Sequence, residues 1–220
     1  MKNKKIKKQK RIGLSALTQL IKQNKNIKNF NLKEEYKKSL DYIKESKKFI
    51  YLIIIIFSVF ALIGFFVPAS EPLKNQILEF IKELLEKTQN MSQAELIKFL
   101  FFNNLQSSFY GLIFGVLIGI FPITATIANG YLLGFVASMS VENGGIMVLW
   151  KLFPHGIFEL PAVFISLGLG LKLGTFILKK EKLKSFNEYF INSLRVFLLI
   201  VIPLLAIAGI IEGSFIFLMG

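Results

Sequence analysis

The stretch Phe49-Ile50-Tyr51-Leu52-Ile53-Ile54-Ile55-Ile56-Phe57-Ser58-Val59-Phe60-Ala61-Leu62-Ile63-Gly64-Phe65-Phe66-Val67 holds nineteen residues and no charge. At 1.5 Å per residue a helix of that length reaches about 28 Å, close to the thickness of a hydrocarbon core. The run is continuous rather than alternating, and an open sheet edge cannot be satisfied in lipid, so strands are disfavoured. Pro68 and the acidic Glu71 close it. The whole chain has the same character, with 53% hydrophobic residues, 23 phenylalanines and a mean hydropathy of +0.55 over 220 residues. These features predict an all-α integral membrane bundle of about five transmembrane helices, with a basic cytosolic N-terminal arm and an extracytosolic helical hairpin. There is no cysteine, which excludes disulfides, thiolate chemistry and cysteine–metal sites.

Downstream, residues 68–100 form the one long polar stretch after the arm. Leu73, Ile77, Ile81 and Leu84 mark a helical face there, Glu83 and Lys87 make an i, i+4 pair, and Ser92 with Glu95 spells a capping box. A second span is expected over 101–121, with Gly111, Gly115 and Gly119 at four-residue intervals forming a smooth face for another helix. Pro122 stops or kinks it. A third element, 124–140, carries Asn129, Gly130 and Gly134, and the asparagine requires a hydrogen-bonding partner in hydrocarbon. Residues 141–145 turn the chain, and 146–153 are too few to cross, reading as a re-entrant or interfacial segment. The fourth span, 157–178, bears a second small-residue face at Gly168, Gly170 and Gly174, with Lys172 able to snorkel. The fifth, 194–211, contains Pro203.

Upstream lies the charge. Residues 1–48 carry 16 Lys/Arg against 4 Asp/Glu, so this arm holds +12 of the chain's +13. The first apolar run starts too late for a signal-peptide h-region and reads as a retained anchor. Lys2, Lys4, Lys5, Lys7, Lys8, Lys10 and Arg11 suit anionic lipid headgroups. Nucleic acid is not expected, because no aromatic residue precedes Phe30. Residues 31–48 read as an amphipathic helix started by Asn31. The positive-inside rule puts the N-terminus in the cytosol of a multi-pass protein of the cell membrane. Residues 68–100 then fall outside, Pro122 inside, and the basic loop 179–184 inside, on the expected side.

The segment Pro154-His155-Gly156-Ile157-Phe158-Glu159-Leu160-Pro161-Ala162 holds the chain's single histidine, and a helix through it sets His155 and Glu159 at i and i+4 on one face. Ionisable groups near membrane depth raise a functional hypothesis, to be weighed against a structural pair that satisfies itself at the boundary. Asn129 is the candidate third member. One histidine, no cysteine and H-x-x-x-E spacing argue against a zinc hydrolase, and no cofactor, metal or catalytic residue is assigned.

Asn129-Gly130, Gly134, the block from Pro154 to Ala162 and the glycine-rich helix after it resemble the stage II sporulation protein M family over roughly residues 100–212. The resemblance implies a multi-span membrane protein with a non-enzymatic scaffold role, whose sporulation member works with cell-wall hydrolases during engulfment. Its implied partners are the bilayer and other membrane or envelope proteins, and the small-residue faces also allow a homo-oligomer. The alternative is a transporter or channel using the His155, Glu159 and Asn129 polar site, as broken helices beside ionisable groups do in transporters.

Overall fold

The computed structural model describes residues 31–219, in which every regular element is helical. The chain divides into two units, residues 1–37 and 38–220. Of the first, the described residues are 31–37, the start of helix α1 (Leu32–Glu45); the lysines from Lys2 to Arg11 lie outside the described residues. Asn31 Oδ1 accepts the Lys33 amide at 3.2 Å, opening α1 as an Asx cap.

The second unit continues as α2 (Lys47–Phe66), α3 (Glu71–Thr88), α4 (Gln93–Ile113), α5 (Ile120–Gly144), α6 (Phe153–Gly174), α7 (Lys182–Val196) and α8 (Ile202–Met219). Short 3-10 segments fill Phe114–Val116, Ile146–Leu152 and Thr175–Leu178. A π segment, Phe197–Val201, joins α7 to α8. Among the described residues four stretches are long and apolar enough to cross a membrane: Lys47–Phe66, Ile120–Gly144, Gly156–Leu178 and Lys182–Leu218.

Helix α6 is the centre. Every residue from Ser166 to Gly174 is buried, so this part of the helix has no lipid- or water-facing side. Gly168 lies against Ile50 of α2, and Phe57 meets Phe164 edge-on at 5.0 Å, which makes α2 and α6 antiparallel. Gly111 faces Leu167 and Gly115 faces Gly170, so α4 runs parallel to α6. Ile97 and Phe101 of α4 meet Gly213 and Gly209 of α8, an antiparallel pair. Gly130 and Gly134 of α5 lie against Phe57 and Ala61, parallel to α2. The chain therefore reverses direction from α2 to α4, to α5, to α6 and to α7–α8. Leu112, Ala162, Leu169, Val196, Val201 and Leu205 form the core where α4, α6, α7 and α8 converge.

Several boundaries differ from the sequence expectation: the turn expected at 141–145 is helical through Gly144, because the apolar helix simply continues to the glycine pair, and α6 starts at Phe153 rather than 157. The helix expected to run to residue 121 ends at Ile113, with its 3-10 extension at Val116, and the chain turns at residues 117–119. Gly119 supplies a φ of +72° there, next to Ile118 at +57°, and α5 begins at Ile120 rather than 124. Pro122 thus falls in the first turn of α5, where a proline removes no helical hydrogen bond. The polar residues before Leu194 are helical too: α7, the π segment and α8 join from Lys182 to Met219. The added residue of the π turn accommodates Pro203 without ending the helix. Helix α3 buries none of its eighteen residues. Its Glu83–Lys87 pair stands at 3.8 Å, and the Ser92–Glu95 capping box opens α4, with Glu95 Oε2 accepting from the Ser92 hydroxyl at 2.7 Å and its amide at 2.9 Å.

Candidate functional site

Two polar points lie at opposite ends of α6. At its C-terminal end, Lys172 is 4% exposed within an otherwise apolar turn. A buried ammonium is costly unless it is paired and hydrogen-bonded. Here Nζ donates to Glu45 Oε1 at 2.8 Å and to Ser46 Oγ at 3.1 Å. It also stands 3.9 Å above the Tyr42 ring and 5.2 Å from that of Tyr189, both within cation–π reach. Ser46 closes the junction of α1 and α2, its hydroxyl donating to the Tyr42 carbonyl at 2.7 Å. Burial pushes the Tyr42 phenol well above its usual range, with the charges of Glu45 and Glu188 adding to the rise. One lysine of α6 thereby ties together α1, the start of α2 and α7. The sequence signal was present in Lys172 itself, a lone charge inside an apolar helix. Its partners are 126 and 127 positions away, and no spacing rule reaches them.

At the other end, α6 starts at Phe153, and His155 and Glu159 occupy its first two turns. Pro154 lies at the start, where it is harmless, whereas Pro161 stands inside the helix and withholds an amide from the Ile157 carbonyl. Glu159 is 6% exposed. A Cβ at Gly156 would meet only Leu160 Cδ1, at 3.9 Å, so this glycine serves no close helix contact. Asn129 is exposed on α5, near the level of Phe57 and Phe164 and more than a turn from Glu159. The sequence missed Glu212: by the Ile97–Gly213 contact it lies on α8 at the same end of the bundle as Glu159. Trp150 and Phe215 meet edge-on at 5.3 Å there. Among the described residues no three His, Cys, Asp or Glu side chains converge as a metal site would need.

Between these ends the helices touch backbone to backbone. A Cβ on Gly115 would stand 2.1 Å from the Gly170 carbonyl oxygen, and one on Gly174 2.4 Å from the Gly119 nitrogen. Gly134 and Gly64 are equally closed by α2–α5 backbone, at 2.0 Å from Ala61 O and 2.3 Å from Tyr131 O. The Ser166 hydroxyl adds an interhelical hydrogen bond to the Ser108 carbonyl at 2.6 Å.

An uncharacterized protein of Methanocaldococcus jannaschii is 29% identical over 148 residues, covering 61% of this chain and 62% of its own length. The chain thus aligns with about three-fifths of that relative. No solved structure matches. The sequence profile described as stage II sporulation protein M matches residues 53–215, from the first apolar helix to the last. This helical membrane protein belongs to the stage II sporulation protein M family.

Proposed function

We propose that the protein is a non-enzymatic membrane scaffold that holds other membrane or envelope proteins in place. The observation carrying this reading is the closure of the interior: α4 and α6 meet glycine on glycine, and the deepest cation, Lys172, is locked by Glu45 and Ser46. A frame so closed has little width for a solute and is well built to hold its shape. In this reading the chain crosses the cytoplasmic membrane five times, through α2, α4, α5, α6 and α7–α8, with the N-terminus in the cytosol. The arm rests on anionic headgroups, and α3 with residues 146–152 faces the outside. Met147 and Trp150, 81% and 52% exposed, lie just before the block from Pro154 to Ala162 and suit contact with a partner.

Transport is the second reading, favoured by the buried Glu159 with Glu212 at the same end. The two part in one experiment. A photo-crosslinking residue at Met147 or Trp150, activated in native membranes, is expected to give discrete adducts with other proteins. The same chain in proteoliposomes is expected to show no proton or cation flux. A pH-dependent flux abolished by Glu159→Gln would overturn the scaffold.

A further inference from the structure

Helix α4 carries a feature that its own bundle does not use. Asn103, Gln106, Ser107 and Tyr110 follow one another at helical spacing and are all exposed. They stand away from the side that packs, which is marked by Phe101, Ser108, Gly111 and Leu112. Among the described residues Gln106 Nε2 donates within its own helix, to the Tyr110 hydroxyl at 3.4 Å. Depth makes the stripe informative. Phe57, near the middle of α2, touches Phe164, and Ser166 touches Ser108, so Gln106 stands at the level of Phe57. Two turns of uncharged polar side chains are thus presented outward at mid-bundle.

Lipid offers such groups no hydrogen bonds, and each left unmet is costly. A polar face on a spanning helix is instead the usual means by which two such helices hold each other. We infer that this stripe is the contact through which two copies of the chain pair in the membrane. This rests on the reading that α4 crosses the bilayer. The choice of occupant follows from the side chains. A carboxamide donates and accepts at once, so Asn103 and Gln106 can pair with the same residues of a copy related by a two-fold axis along the membrane normal. No charge interrupts the sequence between Lys98 and Glu142, so nothing on this face repels a second copy. Ser107 is small enough to let the two backbones approach, and Tyr110 and Phe114, 5.6 Å apart, flank the contact with flat apolar area.

The absence of native cysteine permits a direct test. Full-length chains carrying Gln106→Cys or Asn103→Cys are oxidised in native membranes, with Ile55→Cys, on the exposed side of α2, as the comparison. Disulfide-linked dimers are expected at 103 and 106 and not at 55. The double variant Asn103→Leu/Gln106→Leu, reconstituted at low protein-to-lipid ratio, should show a dimer fraction several-fold lower with helix content unchanged. Cross-linking that is no greater at 106 than at 55, or Gln106→Cys captured only by a different protein, would overturn the pairing. Rapid reaction of Gln106→Cys with a membrane-impermeant maleimide would instead show that α4 does not cross, and the premise would fall first.

Discussion

Lys172 shows how a single side chain can organise an element junction. Its side chain is 5% exposed, whereas that of Glu45 is 64% exposed, so the pair straddles the boundary between interior and solvent. The two ends of this bridge are therefore not equivalent. Glu45→Gln leaves a buried ammonium with Ser46 and the Tyr42 and Tyr189 rings but no carboxylate, while Lys172→Met leaves a carboxylate that water can solvate. Glu45→Gln is expected to lower stability by about 1–3 kcal/mol, below the cost of breaking a fully buried pair because Glu45 is largely solvated. Lys172→Met should cost less, since its thioether can fill the stem's space. Thermal unfolding in detergent checks the order, and a larger loss for Lys172→Met would show that the charge is needed for more than its own pairing. The sequence made Lys172 visible as an anomaly, and snorkelling was the natural reading. That reading failed to see that Glu45, Ser46 and Tyr42 had come to the lysine, because a contact across 127 positions is set by the tertiary fold and not by any local pattern.

At the scale of the helix, the glycines separate into those that touch and those that do not. Gly115 and Gly170 meet through backbone atoms, which cannot move aside as a flexible side chain would. Gly115→Ala should therefore destabilise, by about 1–3 kcal/mol as overpacking does. Gly156→Ala finds room and removes the entropic cost of glycine in a helix, so it should be neutral or gain about 0.5–1 kcal/mol. Paired melting curves decide, and equal behaviour of the two variants would mean that the α4–α6 seam yields easily. The four-residue spacing of Gly111, Gly115 and Gly119 could be read from sequence. The partner of that face could not, and neither could the place where it ends. Proline looked like the stop, yet the bend is made by Ile118 and Gly119, both at positive φ, and Pro122 is absorbed into the turn that follows. Pro203 taught the same lesson in α8, where a π turn carries the helix past it. In each case a residue that breaks helices in isolation is tolerated because the neighbouring backbone adjusts.

At the scale of the molecule, the direction of the chain carries the argument about the membrane. Hydropathy alone marks four stretches, and α4 is not among them, since Glu95, Lys98, Asn103, Asn104 and Gln106 dilute it. Yet α2 and α5 run parallel, side by side, through Gly130 against Phe57 and Gly134 against Ala61. Two parallel spanning helices joined by one connection require that connection to return the chain across the same thickness, and α4, antiparallel to α8 and parallel to α6, is the segment that does so. In the five-crossing reading proposed above, Thr88 and Lys182 lie on opposite faces. In that reading the lysine-rich stretch from Lys179 to Lys184 falls on the cytosolic side, as charge bias favours. In intact cells, Thr88→Cys should react with a membrane-impermeant thiol reagent, and Lys182→Cys should react only after the membrane is opened. Labelling of both from the same side would mean that α3 and α4 together form a re-entrant loop. Labelling of Lys182→Cys alone would turn the whole bundle over and place the arm outside.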